Sequence, residues 1–369
     1  MSVPPPPNQW GAQPPAGGPQ WGPPPSGAPQ WVPQGPPPSG GGKGKWIFGG
    51  VALLAVIAVT VVITVLVVGK NSGGTESPTP TNGNGSDFAS ANDKGPVGII
   101  TDDPTCDAWG RIAREYSAQS ESVKWAERDQ TVPADAWTAE QRSMYGTVDK
   151  ALGNATDQTK NLVKQTTHRV MRELYEQFIA YGHAFTKSLP TYTADDRSLA
   201  AVTDGVASAL AAICSAIDYR SAQTIGPLIS NPDPPSKLAP LGDPNDPQQF
   251  LSRADSACSQ WTPRVEKFDG DTAAWRNTDP TVPATQWSPE EKAINDQVAP
   301  IMAAQADALE KLARSSENPI LQDFGVLAAV YQRGFVKALP NYTTADFYLS
   351  QASAYLAASV NSACKGATG

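Results

Sequence analysis

From residue 101 onward the chain repeats itself at an offset of 150, and this doubling restricts the fold more than any other feature. Trp125 returns as Trp275, Trp137 as Trp287, Tyr181 as Tyr331 and Tyr192 as Tyr342. The run Thr131-Val132-Pro133-Ala134 returns as Thr281-Val282-Pro283-Ala284, and Cys214 returns as Cys364. Near the start of each copy, Cys106-x-x-Trp109 returns as Cys258-x-x-Trp261 with a two-residue shift. Each copy (101–221 and 246–366) has the length of an ordinary domain. The proline-rich segment 222–245 between them reads as an extended, stiff linker.

Each copy reads as four helices. Asp103-Pro104 offers an N-cap followed by a proline at the first helical position, leading into Trp109, Ile112 and Tyr116. In the second copy Asp246-Pro247 offers the same start, leading through Leu251 and Cys258 to Trp261, with Pro263 expected to kink the helix. Thr138-x-x-Gln141 and Ser288-x-x-Glu291 are capping boxes that open the second helix. The third helix carries the stripe Val170, Leu174, Phe178, Tyr181, Phe185 and Leu189, matched by Ile320, Phe324, Ala328, Tyr331, Phe335 and Leu339. Pro190 and Pro340 stop it. Thr193-x-x-Asp196 and Thr343-x-x-Asp346 open the fourth. No window alternates strictly, so the expected class is all-α: two tandem, duplicated, four-helix-bundle-like domains.

Each copy opens and closes with a cysteine. In an up-down-up-down bundle the start of the first helix and the end of the fourth lie at one end, so Cys106–Cys214 and Cys258–Cys364 are the natural pairs. Four free buried thiols are the alternative. Such disulfides persist outside the reducing cytosol.

Residues 46–69, from Trp46 to Gly69, carry no charge over 24 positions. At about 1.5 Å per residue this is long enough for a membrane-crossing helix. A cleaved signal peptide would have a shorter apolar core and lie nearer the N-terminus. Lys43 and Lys45 precede the run, and no acid occurs in residues 1–45, so the rule of positive charge inside places the N-terminus in the cytoplasm and the repeats outside. The tail, 1–45, holds 15 prolines and 10 glycines and is expected to be disordered. Residues 70–100 read as a flexible Ser/Thr/Gly/Pro stalk.

Chemistry is sparse. His168 and His183 are the only histidines, and neither has metal-ligand spacing. No nucleophile elbow, phosphate loop or C-x-x-C pair occurs, so no cofactor, metal or catalytic residue is expected. Residues 101–369 carry 33 acidic and 24 basic groups, which argues against nucleic acid as a partner. Glu140, Glu290, Asp196 and Asp346 recur at helix starts, where capping explains them. The recurring aromatics Trp109, Trp125, Trp137, Tyr192, Trp261, Trp275, Trp287 and Tyr342 are the candidate ligand contacts for a sugar or lipid. Packing of a long loop onto the bundle is their other reading.

A Pro/Gly/Gln/Trp tail with Gln9-Trp10, Gln20-Trp21 and Gln30-Trp31, one apolar span, a Ser/Thr/Pro stalk and an Ala-rich outer region together resemble the proline-rich, single-pass, membrane-anchored envelope proteins of actinobacteria, of mycobacterial type. The resemblance implies an envelope location and no catalytic residue. The expected function is non-enzymatic: an extracytoplasmic helical region that binds, senses or scaffolds an envelope protein, glycan or lipid. The alternatives are a spacer between membrane and wall, or a wall or lipid hydrolase.

Overall fold

The computed structural model describes residues 87–368. The expected tail (1–45), the expected span (46–69) and residues 70–86 of the expected stalk lie outside the described residues. Among the described residues all regular structure is helical. The first copy supplies α1 (Cys106–Ser122), α2 (Ala139–Gln165), α3 (Arg169–Ser188) and α4 (Arg197–Asp218), followed by the short α5 (Ser221–Ile225). The second supplies α6 (Cys258–Asp271), the short α7 (Ala273–Arg276), α8 (Pro289–Arg314), α9 (Pro319–Ala338) and α10 (Phe347–Thr368).

Local chemistry sets the helix boundaries. Thr138 Oγ1 accepts from Gln141 N while Gln141 Oε1 accepts from Thr138 N, and Ser288 and Glu291 do the same at α8. These reciprocal bonds satisfy amides that the first helical turn leaves unpaired. Asp196 and Asp346 close the equivalent boxes on Thr193 and Thr343. Pro190 and Pro340 stand in the 3-10 turns that end α3 and α9, where a missing N–H costs least.

The second copy does not open where its sequence suggests. α6 begins at Cys258, not at Pro247. Asp255, rather than Asp246, is the counterpart of Asp103: its Oδ1 accepts from Ala257 N and its Oδ2 from Ser316 Oγ. Asp103 likewise accepts from Thr105 N and from Thr166 Oγ1. Residues 247–251 instead run over α3 without regular structure. Gln177 donates to Gln248 O and accepts from Phe250 N, and Tyr181 Oη accepts from Leu251 N.

The mirror of this crossing lies ahead of α1. Residues 87–100, expected to be stalk, pack against the helices: Val97 and Ile100 are buried, and Ile100 N donates to Tyr331 Oη on α9. Each copy's leading strap therefore lies on the third helix of the other copy, and the Ile100–Tyr331 contact recurs as Leu251–Tyr181 with the copies exchanged. Val97 and Ile100 in the core, with Ile99 packed against it, order this strap against the flexibility read from composition.

The copies share one core instead of forming two separate bundles. Within the first, α1 and α3 each pack on both α2 and α4; within the second, α6 and α9 each pack on both α8 and α10. The most extensive helix contact of all joins the copies, α4 against α10. Small residues allow the approach. A Cβ on Gly205 would sit 2.5 Å from Ser359 Oγ, and one on Gly366 would sit 2.5 Å from Ser198 Oγ, so the two helices run antiparallel. α3 and α9 meet beside them, and residues 169–182 and 321–332 are buried on every face. That all-round burial marks them as central helices of one larger core. One helical stretch, Ala194–Asp218, is apolar and long enough to cross a membrane, but 67% of its window is buried within this core.

Candidate functional site

The recurring aromatics fall into two groups. Trp109, Trp125, Trp261, Tyr192 and Tyr342 are buried and offer no face to a ligand. Trp137, Trp275 and Trp287 are partly buried against the same core. Trp137 Nε1 donates to Val132 O at 2.9 Å, and Trp287 Nε1 donates to Val282 O at 3.0 Å. Tyr192 Oη donates to Gln130 O, and Tyr342 Oη to Pro280 O. Trp137 stacks on Tyr145, and Trp287 stacks on Tyr342. These bonds fasten the long loop ahead of α2 and α8 to the start of α4 and α10. The expected aromatic groove is thus a packed loop lock at Trp137 and Trp287, whose indole N–H groups each find a backbone carbonyl within their own loop.

The cysteines close the opposite end. Cys106 is bonded to Cys214 and Cys258 to Cys364, each with Cα atoms 5.3 Å apart. The separations in sequence are 108 and 106 residues. Loops of that size gain up to about 4.7 kcal/mol in the chain-entropy account. The histidines are incidental: His168 Nε2 meets Asp102 O at 2.8 Å, and burial holds the His183 imidazole below its ordinary value.

A cavity of about 300 Å³ opens between α1 and α2, lined by Ile112, Tyr116, Thr147, Lys150, Asn154 and Gln158. In the second copy Arg264 stands where Ile112 would be and donates to Gln305, the counterpart of Ala155. Beneath the open cavity Tyr116 Oη donates to Asp204 Oδ1 at 3.0 Å. Burial raises the pKa of both groups, against the pull of Arg128.

The densest chemistry sits at the seam where α3 meets α9, and none of it was singled out from the sequence. Arg169 donates through Nε to Asp323 Oδ2 at 2.7 Å, and through its other nitrogens to Asp93 O and Gly95 O of the strap. Arg172 donates to Glu176 Oε1 at 3.2 Å. Glu173 is 0% exposed, and neither of its oxygens has a hydrogen-bond partner, although Arg172 Nη2 lies 3.5 Å away. Burial, and next the Asp323 carboxylate, push the Glu173 carboxyl well above the usual range against the pull of both arginines. Glu176 is raised too, chiefly by burial and opposed by Arg172. The only available signal was the set Arg169, Arg172, Glu173 and Glu176 at helical spacing opposite an apolar stripe. Such a set ordinarily marks a solvated face; here the second copy covers it.

Against known families, residues 88–368 match one described as mycobacterial ESX-1 associated protein. The chain belongs to that family. The match begins one residue after the described region opens and ends where it ends, so strap, both copies and seam all fall within the ESX-1 associated unit. The chain is also 44% identical over 343 residues to an uncharacterized protein of Mycolicibacterium smegmatis (strain MKD8), covering 91% of this chain and 89% of the relative. No solved structure matches it.

Proposed function

We propose that the protein is a non-enzymatic, single-pass membrane protein whose paired helical copies bind or scaffold a partner outside the cytoplasm, in the context of ESX-1 secretion. The observation that carries this reading is the family match over the entire helical unit. Three further features support it. The apolar run 46–69 has membrane-crossing length, and a match covering 91% of the chain necessarily takes in that run. Both disulfides suit an oxidising compartment. Asp196 and Asp346, two of the carboxylates that recur in both copies, are spent on caps.

A second reading, a rigid spacer between membrane and wall, draws on the burial of the loop aromatics. Crosslinking in intact mycobacterial cells, followed by capture of the full chain or of a chain lacking residues 1–45, separates the two. Capture of ESX-1 components by both chains is expected. Capture that disappears with the tail would move the function to the N-terminus. Absence of any specific partner would favour the spacer.

A further inference from the structure

The two straps show that contacts across the seam recur with the copies exchanged. Applied to the bond between Arg169 and Asp323, the same exchange pairs position 319 with Glu173. Position 319 is a proline, the first residue of α9. The seam therefore holds one close ion pair without its twin: Asp323 has Arg169 at 2.7 Å, whereas Glu173 has only Arg172 Nη2 at 3.5 Å, and neither of its oxygens accepts a hydrogen bond. The remaining cations are committed. Arg169 is saturated by Asp323, Asp93 and Gly95, and Arg172 is drawn to Glu176.

We infer that Glu173 is a proton-operated latch: the seam between α3 and α9 is closed while its carboxyl is neutral and loosens as rising pH removes that proton. Two arginines face four carboxyls here, counting Asp93, Glu173, Glu176 and Asp323. An unpaired buried charge costs several kcal/mol in order of magnitude, whereas a buried neutral acid costs far less. The charged groups on adjoining elements are Asp93 on the strap and Asp323 on α9. On α4, Asp204 is bonded to Tyr116; on α2, Lys160 and Asp157 pair with each other.

The sign follows from linkage. A carboxyl raised in the folded state binds a proton that the unfolded chain releases near its ordinary value of 4.5. Its contribution to stability is complete below that value and is lost as pH rises from there toward the raised folded value. Mild acid therefore tightens the seam.

The test uses the full chain in detergent micelles, as wild type, Glu173→Gln and Pro319→Arg. Hydrogen exchange is followed in peptides from 169–182 and 320–332, comparing proteins at one pH so that intrinsic rates cancel. At pH 4, below the ordinary value of the carboxyl, wild type and Glu173→Gln should match. At pH 8 both variants should exchange more slowly than wild type, by about tenfold for each unit by which the folded carboxyl exceeds the unfolded one. Glutamine mimics the neutral acid, and arginine at 319 restores the missing partner. A variant-to-wild-type ratio that stays constant with pH, or faster exchange in Glu173→Gln at pH 8, overturns the latch. If the glutamine chain does not fold, Pro319→Arg against wild type decides alone: slower exchange at pH 8 supports the latch, and unchanged exchange overturns it.

Discussion

The loop locks and the α3–α9 seam both have counterparts at the 150-residue offset, yet the locks match their counterparts and the seam does not. In the locks, Trp137 and Trp287 make the same bond, to Val132 and Val282, and Tyr192 and Tyr342 reach back to the same loop turn. At the seam, Arg169 faces Pro319 in alignment, Arg172 faces Gln322, Glu173 faces Asp323 and Glu176 faces Val326. A lock is made within one copy, so both copies face the same packing problem. The seam is made between copies. A symmetric solution there would need every buried charge twice, and burying charge is expensive. Divergence let one arginine serve the pair.

The helix-one tryptophans extend the comparison inward. Trp261 lies over Gly325, and its Nε1 donates to Ala357 O at 3.0 Å. In the first copy Tyr175 occupies the position of Gly325 and packs 5.6 Å from Trp109, whose Nε1 is left without a partner. Tyr175 bonds Thr105 Oγ1 instead.

The sharpest way to break the comparison is to truncate these two rings. Trp261→Ala and Trp109→Ala should each cost about 3–5 kcal/mol in urea unfolding, and the Trp261 loss should be the larger by about 1 kcal/mol, because it also frees a buried carbonyl. Equal losses would mean that the orphaned indole N–H has no energetic consequence. Replacing Cys106 and Cys214, or Cys258 and Cys364, by serine should cost about 2–5 kcal/mol. Because one core spans both copies, either pair should lower a single shared melting transition. Two separate transitions would show that the copies unfold independently. Gly325→Ala should cost about 1–3 kcal/mol, since the new methyl would lie 2.5 Å from Ala313 Cβ with no flexible side-chain end to yield. Thr138→Ala and Ser288→Ala should each cost about 1 kcal/mol, with closely similar values, as thermal melts can show. Dissimilar values would place the asymmetry outside the seam as well.

Much of this architecture was legible because its signals are local. Capping boxes at Thr138 and Ser288, stops at Pro190 and Pro340, and a cysteine at each end of a copy all act within a few residues. The start of α6 was misplaced because Asp246-Pro247 carries the same local signal as Asp103-Pro104, while the decisive bonds of Asp255 reach to Ser316. Composition makes the strap a stalk because its apolar residues are few, and the partner of Ile100, Tyr331, lies 231 positions away. Arg169, Arg172, Glu173 and Glu176 carry no local signal of burial for the same reason. Period and propensity describe one helix, and only the second copy reveals what covers it. The aromatics were visible, but their burial could not be told from exposure without the loop that folds over them.

The crossed straps also fix how the protein bears load. A pull on the chain ahead of residue 87 enters the fold at Arg169 in one copy and at Tyr331 in the other. Tension thus meets the first copy through Asp93 and, further along the same strap, the second copy through Ile100, so both copies stand against a pull from that side.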